Sequence, residues 1–336
     1  MIKVTALTAF RADPSSRFRF RQFIEPLAPL GIEVSEHYLP ISRYRRQPLA
    51  SLGMLLRLPG VAASRKSDIT WLRRELIPER VTLERFTGGK RLFDVDDAIW
   101  LGSDRPFSER IVEMCDGVIA GNSFLAARYE PLGKPVWIVP TVVDTKLWKP
   151  AAPPDDGLWR IGWIGTRYNL RYVEMIEKPL AEFLDHHSDV RLRIVCDVVP
   201  DLKLIPSRSL EYVKWSADGE IAATQAMNVG IMPLDDTDWS RGKCAAKMLC
   251  YLAVGVPAVV SPVGVNSDIL KMAKVGYGSK DENEWFNALT DLYENREAAA
   301  DMGRIGCKLV EDHYSVAANV VKLAAIFREV LDRQTS

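Results

Sequence analysis

The sequence predicts an α/β protein built from two Rossmann-like, doubly wound parallel-sheet domains. Short apolar runs alternate with helical segments along the whole chain, a pattern typical of repeated βαβ units. The chain has 336 residues, a length that suits two domains of ordinary size. Its composition, 47% hydrophobic and 26% charged, indicates a globular protein with an ample core.

The first half of the chain contains most of one such domain. Its candidate strands are short apolar runs bounded by turn-forming residues, and its helices show a period near 3.6. Residues 49–62 are apolar with basic flanks, so they fit either an interfacial helix or a core or lid helix. The predicted strands cover 2–7, 32–38, 68–72, 91–95, 117–120 and 136–139, and the helices cover 18–30 and 123–129.

The second half repeats this alternation. Its predicted strands cover 159–164, 190–195, 211–213, 229–232 and 258–260, and its helices cover 172–187, 221–227, 245–253 and 284–294. Residues 146–157, with Pro150, Pro153 and Pro154, form the best linker in the chain. We therefore expect an N-terminal domain over 1–150, a C-terminal domain over 151–314 and a cleft between them. The amphipathic helix 315–333 is expected to pack back on the N-terminal domain, within a closing segment 315–336.

The formal net charge is zero, but the charge is distributed unevenly. Residues 1–150 carry 23 Lys and Arg against 17 Asp and Glu, and the remainder carries the opposite excess. An electropositive first domain fits a phosphorylated substrate or an anionic membrane surface, and a solvated face without a partner is the alternative. Nucleic acid is disfavoured because aromatic residues do not interleave with the basic ones. The basic clusters are Arg17/Arg19/Arg21, Arg43/Arg45/Arg46, Arg65/Lys66 and Arg73/Arg74.

The cysteines argue against disulfides and a structural zinc. There are five, scattered and without a CxxC pair, which favours a reducing cytosol: Cys115, Cys196, Cys244, Cys250 and Cys307. Residues 1–10 resemble a buried strand more than a signal peptide. No apolar run approaches the ~20 residues that a membrane span needs. We expect a cytoplasmic protein, with peripheral contact to the inner membrane face left open.

Residues 238–268 are the most informative stretch of the chain. A polar loop with two lysines leads into a short apolar helix, a Gly-Val-Pro turn, a buried strand and a second glycine loop. Lys243 and Lys247 are four positions apart, which predicts both cations on one face of the helix start, where free N–H groups suit a phosphate. The loop 262–266 follows the strand at its carboxyl end, where open α/β sheets bind ligands. The stretch predicts a cradle for a nucleotide diphosphate.

A second anion-compatible loop follows the strand 159–164. It reads Gly162-Trp163-Ile164-Gly165-Thr166-Arg167-Tyr168-Asn169. Glycine lets the backbone approach a pyrophosphate, and arginine can add a bidentate contact. A tight strand-to-helix turn without a ligand is the alternative interpretation. The presence of two such loops in one domain favours the functional interpretation.

Three carboxylates, Asp94, Asp96 and Asp97, crowd the predicted end of strand 91–95. Such crowding is costly unless a cation, a hydroxyl network or an arginine shares the charge. The functional interpretations are a metal site or a group that positions a sugar hydroxyl. A helix N-cap with a salt bridge to Arg73 or Arg74 is the alternative. Metal is disfavoured because no histidine lies nearby in sequence.

Other polar residues follow predicted strands of the first domain. Ser16 is predicted to cap a helix, while Arg17 and Arg19 fit a phosphate or carboxylate in the cleft or a solvated surface. Arg74 would face the same cleft. Asn122 is expected either to line the cleft or to cap the next helix.

Taken together, these motifs resemble the GT-B-fold glycosyltransferases of the large retaining family four, over essentially the whole chain. The resemblance is carried by Ser15-Ser16-Arg17-Phe18-Arg19, Phe93-Asp94-Val95-Asp96-Asp97-Ala98-Ile99-Trp100, Ala120-Gly121-Asn122, Pro140-Thr141-Val142-Val143-Asp144, Ile161-Gly162-Trp163-Ile164-Gly165, Met232-Pro233-Leu234 and Ser261-Pro262-Val263-Gly264-Val265-Asn266.

The resemblance implies a nucleotide sugar bound mainly by the C-terminal domain and a glycan or lipid-linked acceptor bound mainly by the N-terminal one. It implies retention, no catalytic metal and no cofactor. The expected donor residues are Gly165, Thr166, Lys243, Cys250, Gly264, Val265 and Asn266, and the expected catalytic residues are Arg167, Lys247 and Asp97. The expected acceptor residues are Ser16, Arg17, Arg19, Arg74, Asp94, Asp96 and Asn122.

One departure from the family concerns the ribose. The family commonly has two glutamates eight positions apart around this helix, and the second contacts the nucleotide ribose. Gly242 and Cys250 stand at those places here. Because a thiol cannot hold two hydroxyls as a carboxylate does, a divergent or non-catalytic GT-B nucleotide- or sugar-binding protein is the alternative. A GT-B epimerase is a second alternative, although the additional carboxylates and histidines that it would need are not found.

Overall fold

The computed structural model describes residues 1–40, 49–102, 106–152 and 154–333, which form two compact units. The first unit contains Met1–Val142, Arg241–Cys244 and the chain from Val316 onward, and the second contains Val143–Ser240 and Ala245–Ser315. The division after Val142 lies before the expected boundary at residue 150. The reason is that Val143 donates its N–H to Tyr314 O at 2.8 Å and forms a parallel bridge with Ser315.

The described strands of the first unit form one six-stranded parallel sheet in the order β2-β1-β3-β4-β5-β6. The order reverses between β1 and β3, so this is where a doubly wound sheet binds ligands. The strands are β1 (Ile2–Phe10), β2 (Ile32–Leu39), β3 (Ile69–Arg73), β4 (Lys90–Val95), β5 (Gly117–Ala120) and β6 (Val136–Ile138). The first helices are α1 (Pro14–Ser16), α2 (Gln22–Leu27), α3 (Leu49–Ser64), α4 (Phe107–Glu113) and α5 (Ser123–Tyr129).

The described strands of the second unit form another six-stranded parallel sheet. From one edge it runs β9-β8-β7-β10-β11-β12, which is the strand order typical of Rossmann folds. The strands are β7 (Trp159–Ile164), β8 (Val190–Cys196), β9 (Leu210–Lys214), β10 (Val229–Met232), β11 (Ala258–Val260) and β12 (Gly276–Gly278). The helices are α6 (Leu170–Glu174), α7 (Glu177–His186), α8 (Glu220–Gln225), α9 (Asp238–Arg241), α10 (Ala246–Ala253), α11 (Val265–Met272), α12 (Glu282–Glu294) and α13 (Arg296–Leu309).

The last helix, α14 (Val316–Asp332), belongs to the first unit. Its Phe327 packs edge-on against Trp71 of β3, with ring centroids 5.4 Å apart, and Trp71 also packs against Phe20 at 4.0 Å. All three side chains are buried. The closing helix therefore completes the core of the first unit, although it is separated in sequence from the rest of that unit.

Short irregular turns connect these elements. Two π-helical turns cover Arg17–Arg21 and Val310–Tyr314, and 3₁₀ turns cover Ala28–Leu30, Glu84–Phe86, Ile99–Gly102, Glu130–Leu132, Arg167–Asn169 and Ser207–Ser209. No helix in the described ranges is both long enough and apolar enough to cross a bilayer.

The α/β class and the parallel sheets are confirmed, and most predicted strands are found within one to three residues. The predicted helix 18–30 consists instead of a π turn, α2 and a 3₁₀ turn, and the predicted helix 172–187 is two helices, α6 and α7. The strand β12 and the helices α11 and α13 were not predicted. Arg43, Arg45, Arg46 and Pro153 lie outside the described residues.

Candidate functional site

The strand order of the second sheet reverses between β7 and β10, and a buried tyrosine joins these two strands. The hydroxyl of Tyr251, on α10, accepts a hydrogen bond from Ile164 N and donates one to Ile231 O, each at 3.2 Å. Its ring lies against Gly230 so closely that a Cβ there would be 2.2 Å from it. The helix α10 is thereby held over the switch point, the usual ligand site of such sheets.

Gly165 and Lys247 come together at this switch point. A Cβ at Gly165 would lie 2.5 Å from the Trp163 ring and 2.9 Å from Lys247 Cε, so only glycine fits without displacing a neighbour. The Lys247 ammonium lies 5.6 Å from the centroid of the Trp163 ring, within cation–π range. The half-buried Lys247 side chain is therefore positioned over the backbone that follows β7.

Arg167 follows in the same loop and is paired with Asp197, which follows β8. Asp197 accepts hydrogen bonds from Arg167 N at 2.7 Å and Arg167 Nε at 2.9 Å. Burial alone would raise the pKa of Asp197, but these hydrogen bonds hold it below its ordinary value. Thr166 precedes the turn and accepts from Asn169 Nδ2 at 3.2 Å. The prediction missed Asp197, although its position after a predicted strand was a usable signal.

The expected pairing of Lys243 and Lys247 on one helix face is wrong. Ala245 has φ +52°, the left-handed conformation, so α10 begins only at Ala246 and Lys243 precedes it. The division between the units falls between Cys244 and Ala245. Lys243 thus belongs to the first unit and Lys247 to the second. The left-handed residue between them ends the helical periodicity on which the predicted pairing depended.

The second glycine loop also differs from the prediction, which placed residues 262–266 in a loop. The helix α11 begins at Val265, after Gly264 with φ +54°, so Val265 and Asn266 form its first turn. Asn266 is buried and donates from Nδ2 to Ser261 O at 3.2 Å, while Ser261 Oγ accepts from Leu234 N at 2.9 Å. The loops after β10 and β11 are therefore joined by hydrogen bonds.

Neither α10 nor α11 has a side-chain N-cap within the part of the chain that the structure describes. Their first-turn N–H groups, at the carboxyl edge of the second sheet, carry the positive end of each helix dipole. Together with Lys247, this edge is suited to an anion. Cys250 lies on α10 and is 5% exposed.

Gly242, the other departure from the family pattern, is packed within the first unit. A Cβ at this position would lie 2.8 Å from Ala98 Cβ and 2.9 Å from Ala98 N. A glutamate there would require the backbone around Ala98 to shift. Gly242 therefore fits a close contact with Ala98 that a larger residue would disturb.

In the first unit, Asp94 and Arg19 form a buried ion pair. Arg19 Nε lies 2.5 Å from Asp94 Oδ1, and both side chains are 2% exposed. Trp71 Nε1 donates to the other carboxylate oxygen at 3.1 Å, and Arg19 Nη1 donates to Val139 O at 2.9 Å. Asp94 is the penultimate residue of β4, near the strand end where the prediction placed the three carboxylates. These contacts give both residues a structural role.

Two further ion pairs lie at this edge. Arg74 Nη1 donates to Asp97 Oδ2 at 3.1 Å, as the salt-bridge interpretation predicted, and Arg74 has the strained φ of +56°. Arg73 Nε lies 2.9 Å from Asp13 Oδ2. Burial and the Asp96 carboxylate raise the pKa of Asp97, whereas Arg73, Arg74 and Arg19 outweigh burial and lower the pKa of Asp96.

The helix after β1 is capped by Asp13 and not by a serine. Asp13 Oδ2 accepts from Ser16 N and Ser16 Oγ, each at 2.7 Å. Asp13 precedes Pro14, a known helix-start signal that the prediction overlooked. Arg17 is half-buried, with its guanidinium carbon 5.5 Å from the Phe18 ring centroid.

Asn122 caps α5, accepting from Leu125 N at 2.8 Å, and its Nδ2 donates to Gly242 O and Lys243 O, each at 3.2 Å. The capping alternative is therefore the one that is seen. Across the described ranges, no group of three or more His, Cys, Asp or Glu side chains is arranged to hold a metal ion.

Comparison with known proteins identifies the fold. No protein-family profile matches the chain. No curated protein matches it by sequence. Solved structures match over nearly the full length, among them sucrose-phosphate synthase (tll1590) from Thermosynechococcus elongatus, at 14% identity and a TM-score of 0.72, covering 98% of this chain and 99% of that one.

The catalytic domain of starch synthase IV from Arabidopsis thaliana, bound to ADP and acarbose, is 11% identical with a TM-score of 0.71 and covers 99% of this chain and 100% of its own. A putative UDP-N-acetylglucosamine 2-epimerase from Listeria monocytogenes is 13% identical with a TM-score of 0.65, covering 99% and 98%. The chain has the GT-B fold, as predicted.

Proposed function

We propose that this protein is a glycosyltransferase that moves a sugar from a nucleotide-sugar donor to a hydroxyl acceptor. The observation that carries the proposal is the convergence of Gly165, Lys247 and two uncapped helix starts at one edge of the second sheet. Such an edge binds phosphate by backbone N–H groups and a cation. The ADP named with the similar starch synthase structure agrees with this chemistry.

The residues of this edge suit the electrostatic demand of the reaction. When the bond from the anomeric carbon to the diphosphate breaks, negative charge grows on the leaving nucleoside diphosphate. A preorganised cation stabilises that charge more in the transition state than in the ground state. Lys247, whose side chain lies beside Gly165 and over the Trp163 ring, supplies this cation, and Arg167 is paired with Asp197. Arg167 then acts mainly by positioning the loop between β7 and α6.

We further propose that the transfer proceeds with retention and without a metal ion. The acceptor oxygen attacks the anomeric carbon from the face that the diphosphate leaves, and the departing phosphate oxygen takes the acceptor proton. Lys247 and the helix N-termini occupy the role that a divalent cation has in other transferases. Full activity in the presence of EDTA is the expected result, and an absolute requirement for added Mg²⁺ or Mn²⁺ would contradict this part of the proposal.

The acceptor is proposed to be a glycan or a lipid-linked sugar bound by the first unit. The half-buried Asp97, paired with Arg74, is the carboxylate best suited to accept a hydrogen bond from an acceptor hydroxyl. The excess of basic residues in this half of the chain is compatible with peripheral contact at an anionic membrane surface.

The decisive test compares nucleoside diphosphates with nucleosides as ligands. UDP, GDP, ADP and TDP should be screened by thermal shift, since a ligand that binds only the folded state raises the melting temperature. Lys247→Ala should weaken binding of the best diphosphate by about tenfold or more, as expected for a lost charge-assisted contact. Binding of the matching nucleoside should change little.

Lys271→Ala is the matched control, because Lys271 is 73% exposed and lies on α11. If no diphosphate raises the melting temperature, the transferase proposal fails. If Lys247→Ala weakens nucleoside and diphosphate equally, Lys247 does not contact the phosphates. A hydrolysis screen across UDP-, GDP-, ADP- and TDP-sugars then identifies the donor.

A GT-B epimerase is the second candidate, because a putative UDP-N-acetylglucosamine 2-epimerase has a similar structure. An epimerase would convert a UDP-sugar to its stereoisomer without any acceptor, whereas a transferase would at most release UDP. Proton NMR of UDP-N-acetylglucosamine incubated with the protein separates the two. Diphosphate binding without turnover of any donor would instead indicate a non-catalytic binding protein.

A further inference from the structure

The charge distribution of helix α3 is inverted relative to an ordinary surface helix. Its one charged residue in sequence, Arg57, is 3% exposed. Arg57 Nε donates to Leu76 O at 3.3 Å, and Nη1 donates to Thr8 O. The cation is therefore directed into the first unit, where backbone carbonyls satisfy it.

The inner face of α3 is packed against the first sheet. A Cβ at Gly60 would lie 2.8 Å from Leu7 Cδ2 and 2.9 Å from His37 Cβ, so the helix lies directly on β1 and β2. Met54 and Leu56 pack against a small buried cluster at the same position. This inner face therefore belongs to the core of the first unit.

The outer face of α3, by contrast, is apolar and exposed. Leu52, Leu55 and Leu58 are spaced three residues apart and are 44%, 63% and 47% exposed. Pro59 and Ala62 continue the exposed surface toward the end of the helix. A helix that is hydrophobic all round is normally covered on all sides. This face therefore indicates a binding surface.

Basic residues lie where this face ends. Arg65 and Lys66 are exposed directly after α3, and Arg65 Nε donates to the carbonyl of Phe86 at 3.1 Å. Phe86 is itself 43% exposed, and the Arg85 guanidinium carbon lies 4.7 Å from its ring centroid. The nearby Asp68 carboxylate already accepts a hydrogen bond from Lys3 N at 2.7 Å.

We propose that this docking face, composed of Leu52, Leu55, Leu58, Phe86, Arg65, Lys66 and Arg85, binds the surface of an anionic lipid bilayer. An apolar band beside a cluster of cations is complementary to acyl chains beneath negatively charged head groups. With 16 residues, α3 is shorter than the ~20 residues that span a bilayer, so it lies in the interface. The inference extends the peripheral membrane contact proposed above and identifies the surface that makes it.

The test is co-sedimentation of the full chain with phosphatidylcholine vesicles and with vesicles that also contain phosphatidylglycerol, without nucleotide. The wild-type protein should pellet with the anionic vesicles. Leu55→Asp should lower the partition coefficient about tenfold or more, since it places a charge in the apolar band. Reversing Arg65 and Lys66 together to Glu should lower it by a similar factor on anionic vesicles only.

Leu147→Asp is the matched control, because Leu147 is 64% exposed in the second unit and should leave the partition unchanged. The melting temperature of Leu55→Asp should equal that of wild type, which excludes misfolding. Wild-type protein that stays in the supernatant, or Leu55→Asp that pellets as wild type does, overturns the inference.

Light scattering tests whether a second copy covers the face instead. A wild-type dimer that Leu55→Asp converts to a monomer, without vesicle binding, also overturns the inference. Nucleoside diphosphate binding, measured on the same variants, reports separately on the proposed transferase function. A negative vesicle result therefore does not contradict the transferase proposal. A negative nucleotide-binding result does not change the interpretation of the vesicle assay.

Discussion

At the scale of single residues, the first unit pairs charges that lie far apart in sequence. Arg19 and Asp94 are separated by 75 positions, yet they form a nearly solvent-free ion pair with additional hydrogen bonds from Trp71 and to Val139. Taking such charges from water costs several kcal/mol each, so the pair tolerates the loss of neither partner. Arg19 and Asp94 are therefore held in place by contacts within the protein itself, without a ligand.

Replacing Arg19 should therefore be severe. Arg19→Leu leaves a buried carboxylate without its cation and should lower the free energy of unfolding by about 3–5 kcal/mol. Chemical denaturation followed by circular dichroism measures the change. Arg208→Leu serves as the control, because the exposed Arg208–Asp185 pair, at 3.6 Å, should contribute about 0–1 kcal/mol. A loss for Arg19→Leu no larger than that of the control would show that the buried pair adds little.

Asp97 should make the stability of the protein depend on pH. Burial and the Asp96 charge raise its pKa above the ordinary value of 3.8, so protonated Asp97 favours the folded state. That contribution is complete below the ordinary value and is lost as the pH rises through the raised pKa. The unfolding free energy of wild type minus that of Asp97→Asn should therefore fall as the pH rises from 3.8 toward neutrality. Denaturation curves across this range test the sign, and a rising difference would refute it.

At the scale of secondary-structure elements, α10 organises the candidate donor site. Its Tyr251 hydroxyl joins β7 to β10, and its first turn carries Lys247 over Trp163. The glycines at 165 and 230 allow this close packing, because a Cβ at either position would overlap a side chain of α10. The helix α10 thus both joins the two strands at the switch point and positions the Lys247 ammonium.

Removing the Tyr251 hydroxyl tests that connection. Tyr251→Phe leaves a buried N–H and a buried C=O without their partner and should lower the free energy of unfolding by about 1–3 kcal/mol. It should also weaken diphosphate binding, because α10 is less firmly held. Tyr168→Phe is the control, since Tyr168 is 83% exposed. If both variants unfold at the same denaturant concentration as wild type, the hydrogen bonds of the Tyr251 hydroxyl contribute little to stability.

At the scale of the whole molecule, the chain leaves the first unit after Val142, returns to it briefly at Arg241–Cys244, and rejoins it at Val316. The helix α14 contributes Leu323, Phe327 and Val330 to the core of that unit, and Glu329 accepts a hydrogen bond from Trp137 Nε1 at 3.0 Å. The core of the first unit is therefore complete only when α14 is in place.

Phe327→Ala should loosen the first unit selectively. Removing a fully buried phenylalanine costs about 3–5 kcal/mol. Hydrogen exchange followed by mass spectrometry should show faster exchange in β1 and β3 and unchanged exchange in β7 and β8. Val321→Ala, on the same helix at 62% exposure, is the control and should exchange as wild type does. Faster exchange throughout both units would show that they unfold together.

The features predicted correctly from the sequence were those that depend on residues close together in the chain. The strand 159–164 and the helix 123–129 were found at their observed bounds, because apolar runs and capping residues are local signals. Lys243 was wrongly expected on one helical face with Lys247, because the left-handed turn at Ala245 between them has no marker in an Ala-Ala dipeptide. Asn266 was expected in a loop, because Gly264 is the only local sequence signal for the helix that begins at Val265.

The amino-acid sequence by itself determined the α/β class, most of the strands, and the loops after β7 and β11 as candidate ligand sites. These features depend on residues near one another in the chain. Only the tertiary structure decided that Arg167 pairs with Asp197, that Arg19 neutralises Asp94, and that Arg57 turns inward and leaves the leucines of α3 exposed. Those contacts join residues from different elements, and their partners are set by sheet order and packing, which no local pattern encodes.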